Sequence, residues 1–210
     1  MTSQSVSTLH PFEPGTTGWT AADLDDPHIE SEWMRGAYEI VDGVLTTMPP
    51  AYFDGSNATF NLLLIIKLHA RALRLGWRVA NELDIVVDDA RVARADGAVL
   101  TPDEGARQAE AARAAGRPVT RRTRILIPPI LVIESLSPGH EYHDRHTKRR
   151  WYAEFGIKNY WLLDAFARSL QCLVLDAGEY REDASGAGEE LVRPSILPGL
   201  VIPLKQVWED

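Results

Sequence analysis

Cysteine is almost missing from this chain: Cys172 is the one instance in 210 residues. That excludes an internal disulfide and fits a reducing compartment, so a cytoplasmic protein is expected. Long apolar runs are also missing. The most apolar stretch, Leu62 to Leu68, is interrupted by Lys67, and the first residues show no charged-then-apolar signal pattern, so nothing here targets or spans a membrane. Positive charge is in deficit, with 22 Lys and Arg against 30 Asp and Glu and a net charge of −8. This balance argues against a sequence-independent coat on nucleic acid, although a local basic patch can still grip phosphates. No repeat and no metal-type Cys/His spacing is present. His140, His143 and His146 are spaced three apart around a turn and helix start and cannot all face one ion, so exposed or phosphate-facing roles are expected for them.

What is present reads as one α/β domain, large enough to bury roughly 70% of its unfolded surface. Residues 1–27 are rich in turn formers and read as a tail or an arm laid on a partner, and 28–210 as a single domain. Tyr38 to Leu45 carries Asp42-Gly43 between alternating segments, a strong hairpin signal. A helix is expected from Ser56 to Leu75, capped by Ser56 or Asn57 and stopped by Gly76; being apolar nearly all round at Leu62 to Ile66, it should pack on the sheet. Two strands follow, Trp77 to Val87 and Val92 to Leu100, the second carrying Asp96. Pro102 to Thr120 reads as a short helix and exposed loop with little chemistry. The final part, with a strand at Ser169 to Leu175, a polar turn at Ser185 to Gly188 and an apolar stretch from Leu197 to Ile202, should close the sheet.

The most informative stretch lies between. Ile127 to Leu136 is a short, β-branched apolar run that reads as a buried strand interrupted by one carboxylate, Glu134. Strand alternation puts Ile130, Val132, Glu134 and Leu136 on one face and Leu131, Ile133 and Ser135 on the other. An ionised carboxylate there costs several kcal/mol unless a cation, a metal or dense hydrogen bonding compensates it. Glu141 to Phe155 then reads as a helix stopped by Gly156. Asp144, Lys148, Trp151 and Phe155 form one stripe whose aromatics must be buried, which turns Asp144 and Lys148 towards the sheet, with Arg145, Arg149 and Tyr152 flanking. A second apolar strand, Tyr160 to Leu163, ends at Asp164. Two carboxylates on neighbouring strands, Asp96 and Glu134, with an inward-facing Lys148, could converge at one end of a sheet. Such a set can hold Mg²⁺, or Mn²⁺ in its place, and position a water for phosphodiester hydrolysis.

At these residues the chain resembles the Uma-type putative restriction endonuclease family of the PD-(D/E)xK nuclease superfamily. The resemblance is carried by the Tyr38-Glu39 to Asp42-Gly43 hairpin, Arg94-Ala95-Asp96, Val132 to Pro138, Asp144, Lys148, Tyr152 and Asn159 to Asp164. It implies a restriction-endonuclease-like core, a mixed central β-sheet flanked by helices with an N-terminal β-hairpin. It also implies Asp96 and Glu134 as metal ligands, DNA as substrate, and action as a homodimer, since cutting both strands needs two sites. The superfamily's lysine normally stands two residues after the second acid, where this chain has Leu136; in the family it has moved to the following helix, which matches Lys148. Glu39 and Glu82 fall at acidic positions of the pattern and would support the site. Arg121, Arg122, Arg145 and Arg149 would contact phosphates. Two positions depart from the pattern: Ala95 replaces a proline, and no histidine stands near the start of the long helix.

Blander readings stand beside these. Asp96 could be a solvated strand-end residue, Glu134 a buried partner of an arginine, and Asp144 with Lys148 a surface i, i+4 pair. Tyr152 and Cys172 read as packing residues. The missing histidine and the negative charge also motivate a second hypothesis, a catalytically weak or inactive module that keeps the nuclease fold to bind nucleic acid or a protein.

Overall fold

A computed structural model describes residues 11–50, 52–116 and 124–209, so Arg121 and Arg122 lie outside the described residues. After a short helix α1 (Pro27–Trp33), Asp42 and Gly43 adopt φ of +49° and +79°, the paired positive values that a tight hairpin with right-handed twist requires. They join β1 (Tyr38–Val41) to β2 (Val44–Thr47). The described part of the amino-terminal segment packs against its own chain. Trp19 and Leu24 are buried with Trp33, Ile40 and Leu45, and Thr17 bridges Val44, so the segment covers an apolar face of the hairpin.

The long helix runs as α2 (Phe53–Ala72), starting three residues before Ser56. Tyr52 occupies the cap position without a side-chain cap bond, and its carbonyl accepts the Ser56 N–H. Leu62, Leu63 and Ile66 face the sheet, while Leu64 and Leu68 remain exposed. Next, β3 (Arg78–Asp88) and β4 (Arg91–Leu100) pair antiparallel. Helix α3 (Pro102–Ala114) opens with a Thr101/Glu104 capping box, and the buried Glu104 also accepts the Ile130 N–H. This stretch therefore anchors the approach to β5 (Leu131–Ser135). That strand is shorter than the apolar run because prolines 128 and 129 cannot donate to a ladder.

Alternation on β5 is as expected. Leu131 and Ile133 pack in the core under α2, while Val132 packs in the opposite core. A π-helical turn (His143–Lys148) leads into α4 (Arg149–Phe155), which stops at Gly156 with φ +90°. The chain crosses back to β6 (Asn159–Asp164), parallel to β5, and continues antiparallel through β7 (Ser169–Asp176) and β8 (Glu179–Ala187). The expected turn at Ser185 to Gly188 is largely strand: Gly186 fits because Val192 packs against its bare face, 2.8 Å from where a Cβ would stand. The last segment does not close the main sheet. It forms a separate pair, β9 (Leu191–Val192) with β10 (Ile202–Pro203), and α5 (Leu204–Trp208), which is tied to α2 by the Asn61 amide donating to the Val207 and Glu209 carbonyls.

The result is a mixed eight-stranded sheet ordered β2-β1-β4-β5-β6-β7-β8, with β3 on the remaining edge of β4. One detail of that order positions everything that follows. On the edge away from β3, β4 meets β1 only at Val92 and meets β5 only from Gly97 to Val99. Between those contacts, Ala93 to Asp96 face an opening that no strand fills among the described residues.

Candidate active site

A gap in a ladder leaves backbone donors and acceptors that must find partners. Here charged side chains supply them. Glu39 on β1 accepts the Arg94 N–H through Oε1 at 3.0 Å, and the Lys148 ammonium reaches the Arg94 carbonyl at 3.5 Å. One rung further along, Asp96 Oδ2 accepts the Ser135 N–H at 2.6 Å. Continuing the β4–β5 register by one step sets Asp96 opposite Glu134, so the two acids are cross-strand neighbours. On the other edge the β3–β4 ladder skips the matching position, where Glu82 has φ +50°. Such a local irregularity re-aims a side chain.

Lys148 lies at the centre, 2% exposed. Its Nζ is 2.9 Å from Glu39 Oε1, 3.2 Å from Glu134 Oε2 and 3.2 Å from Asp144 Oδ1. The Tyr152 hydroxyl donates to the other Glu134 oxygen at 2.6 Å, and His143 Nε2 lies 2.9 Å from Glu39 Oε2. The wide π-helical turn explains why α4 delivers so many groups to one spot. It advances fewer degrees per residue than an α-helix, so Asp144, Lys148 and Tyr152, each four apart, fall close to one inward line. An α-helical period places Tyr152 on the flank, which is why the sequence reads it as a packing residue near the site.

The charge balance is uneven: four carboxylates surround one ammonium. Burial would raise Glu39, but Lys148 and His143 outweigh it and hold Glu39 at about 2. Burial raises Asp96 to about 6 against the pull of Lys148, with Asp144 and Glu39 adding repulsion. Glu134 is pushed well above the usual carboxylate range, first by burial and then by Asp96 and Asp144, with Lys148 opposing. Burial works against the charged form of Lys148, yet Glu134, Glu39 and Asp144 together raise it well above its ordinary value, so it remains an ammonium. Tyr152 is raised by burial and by Glu134, and remains a phenol that donates.

The expected residues Asp96, Glu134, Lys148, Glu39, Asp144 and Tyr152 are thus brought together. Among the described residues Glu134 pairs with Lys148 and Tyr152 and with no arginine, and Lys148 is buried rather than turned to water. Glu82 stands exposed at the mouth. Arg149 is not at the site, because it donates to the Tyr180 carbonyl at 2.6 Å, and Arg145 lines a different cleft with Asp164 and Gln171. Sequence reasoning missed Ser135 as a donor to Asp96 and the contact of His143 with Glu39. It also missed Asp84, which accepts from Trp33 Nε1 and Arg94 Nε and so fixes β3 and β4 to α1. A signal for Asp84 existed: it is a lone carboxylate between Leu83 and Ile85.

Beside these groups lies a cleft of about 520 Å³, whose wall includes Glu39, Asp96, Glu134, Asp144 and Lys148. Asp96 Oδ1 has no protein partner among the described residues. No three His, Cys, Asp or Glu side chains among those residues converge on one point as a closed metal cage. Two acids on facing rungs with solvent space in front suit instead a hard cation that keeps most of its waters, and the repulsion within the cluster is what such a cation would relieve.

Residues 29–205 match the model of the Uma2 family, whose description is "Putative restriction endonuclease". No curated protein matches. Among solved structures, the fold is similar to that of a putative nuclease belonging to DUF820 from Anabaena variabilis ATCC 29413, with a TM-score of 0.62 and 18% identity over 83% of this chain and 90% of that one. At that identity the likeness shows the fold alone. Acids gathered around one buried lysine at a break in a mixed sheet therefore belong to a member of a nuclease family: the chain is part of the Uma2 family of putative restriction endonucleases.

Proposed function

We propose that this chain is a metal-dependent endonuclease that hydrolyses DNA phosphodiester bonds at the opening in β4. The observation that carries the reading is the placement of Asp96 and Glu134 on facing rungs with the Lys148 ammonium 3.2 Å from Glu134. Asp96 and Glu134 would hold the ion. Mg²⁺, or Mn²⁺ in its place, supplies positive charge to the phosphate and makes a bound water more acidic. Tyr152 fixes the rotation of the Glu134 carboxylate. Glu39 and Asp144 keep Lys148 protonated, so it acts as a donor that orients the attacking water and the phosphate oxygen, never as a base. A cut through both strands of a duplex takes two such sites, and hence two copies of the chain.

The test is nicking of supercoiled plasmid across a range of Mg²⁺ and Mn²⁺ concentrations. Cleavage that needs the ion and is lost in both Glu134→Gln and Lys148→Met is the expected result. One observation favours a second reading, a nuclease-fold module that binds without cutting: both Glu134 oxygens already accept hydrogen bonds, from Tyr152 and Lys148. Binding of DNA with no cleavage in either metal would replace the first reading by the second.

A further inference from the structure

Asp96 and Ser135 also line a second, smaller notch of about 70 Å³, together with Tyr52, Phe60 and Phe166 and without Lys148. Among the described residues, no Lys, Arg or His lines it. The three rings are 46%, 61% and 57% exposed, and Tyr52 and Phe166 meet edge to face with centroids 5.5 Å apart. Large exposed aromatics gathered at one cleft need an explanation that scattered ones do not.

Their positions in the chain sharpen the point. Tyr52 is the N-cap of α2, where Ser, Thr, Asp or Asn would satisfy a helix N–H, and it makes no side-chain cap bond. Phe166 sits in the tight β6–β7 turn that Asp164 closes by accepting the Ala167 N–H, a place where small polar residues are favoured. Both positions carry a ring where local structure asks for a short polar side chain. Such local conflict marks function rather than folding.

From this we infer that the rings form a stacking platform for the bases of an unpaired polynucleotide strand, whose backbone then passes Asp96. The inference rests on the nuclease reading above only in taking the cleft to receive nucleic acid. A paired base offers no free face to a ring, whereas an unpaired one does, and stacking compensates for the lack of basic side chains at the notch. The preferred substrate is therefore single-stranded or locally opened nucleic acid, and binding weakens only slightly with added salt.

The test is fluorescence anisotropy of a labelled single-stranded oligonucleotide and of its duplex, with Ca²⁺ in place of Mg²⁺. The expected result is tighter binding of the single strand, a shallow salt dependence, and a loss of affinity in Tyr52→Ser and Phe166→Asn of roughly five- to a hundredfold per ring. Tyr52→Ser should at the same time raise the Tm, because it restores a cap; a merely structural tyrosine would lower it. Equal affinity for duplex and single strand, unchanged binding in both variants, or no binding of either probe overturns the inference. Stacking without any cleavage in Mg²⁺ would instead remove the catalytic reading and leave the platform standing.

Discussion

Removing one charge from the cluster has opposite effects at different positions. Lys148→Met leaves Glu39, Glu134 and Asp144 buried without their cation, and breaking a buried pair in this way costs about 3–5 kcal/mol. Chemical denaturation should show a loss of that size together with lost nicking. Asp96→Asn behaves differently. Burial holds the Asp96 carboxyl at about 6, so at neutral pH its ionised form burdens the fold, while an amide oxygen still accepts from the Ser135 N–H. The variant should therefore have a higher Tm than the parent without metal, and should lose the Tm increase that Mg²⁺ gives the parent. For an acid whose folded pKa is raised, the charged form needed for metal becomes available only as pH rises through about 6. Isothermal titration should accordingly show tighter Mg²⁺ binding at pH 7.5 than at pH 5, with protons released on binding. Glu39 has the reverse sign. Its pKa is lowered from 4.5 to about 2, so its contribution is complete above 4.5 and disappears as pH falls towards 2. At about 1.4 kcal/mol per unit this is roughly 3 kcal/mol. The stability gap between the parent and Glu39→Gln should narrow over that window, measured by urea unfolding. Residue chemistry was legible in the sequence where a charge broke an apolar pattern, as at Glu134 and Lys148. Glu39 was legible only through the family pattern, because it alternates with Tyr38 and Ile40 like any solvent-facing hairpin residue and takes its partners, Lys148, His143 and the Arg94 N–H, from distant parts of the chain.

At the scale of elements, the π-helical turn does what neither strand can. It brings Asp144, Lys148 and Tyr152 to one inward line, and a tighter helix would spread them. Deleting Thr147 removes the extra residue of the wide turn. Circular dichroism of that variant should show helix content close to the parent, while metal-dependent nicking falls to background because His143 and Asp144 are drawn one residue along the helix and lose their present contacts with Glu39 and Lys148. Near-parent nicking would show that the π-helical spacing has no part in the site. Hairpin, long helix, β3–β4 pair and the β5 to β6 crossover were all readable from period and turn residues. The π-helical turn was not, since a period of 3.6 is assumed before the faces are read. The start of α2 was misread for the same kind of reason: Ser56 and Asn57 look like caps, and only the chain's path past the notch places Tyr52 there.

Across the whole molecule, the tertiary arrangement decided what local pattern could not. The segment after Leu191 is apolar and looks like another strand of the main sheet, but it pairs with itself and covers α2. The amino-terminal stretch reads as an arm from its turn formers alone, and its Trp19 and Leu24 belong to the core beneath the hairpin. The opening in β4 has a consequence for how relatives of this chain would drift. Its carbonyl and amide at Arg94 are sealed by Lys148 and Glu39, so a lineage that stopped cutting would still be obliged to keep that pair as a plug in the sheet. Asp96 carries no such obligation, and an amide there would even firm up the fold. Under the proposed metal-dependent reading, the aspartate rather than the lysine would be the badge of a working copy.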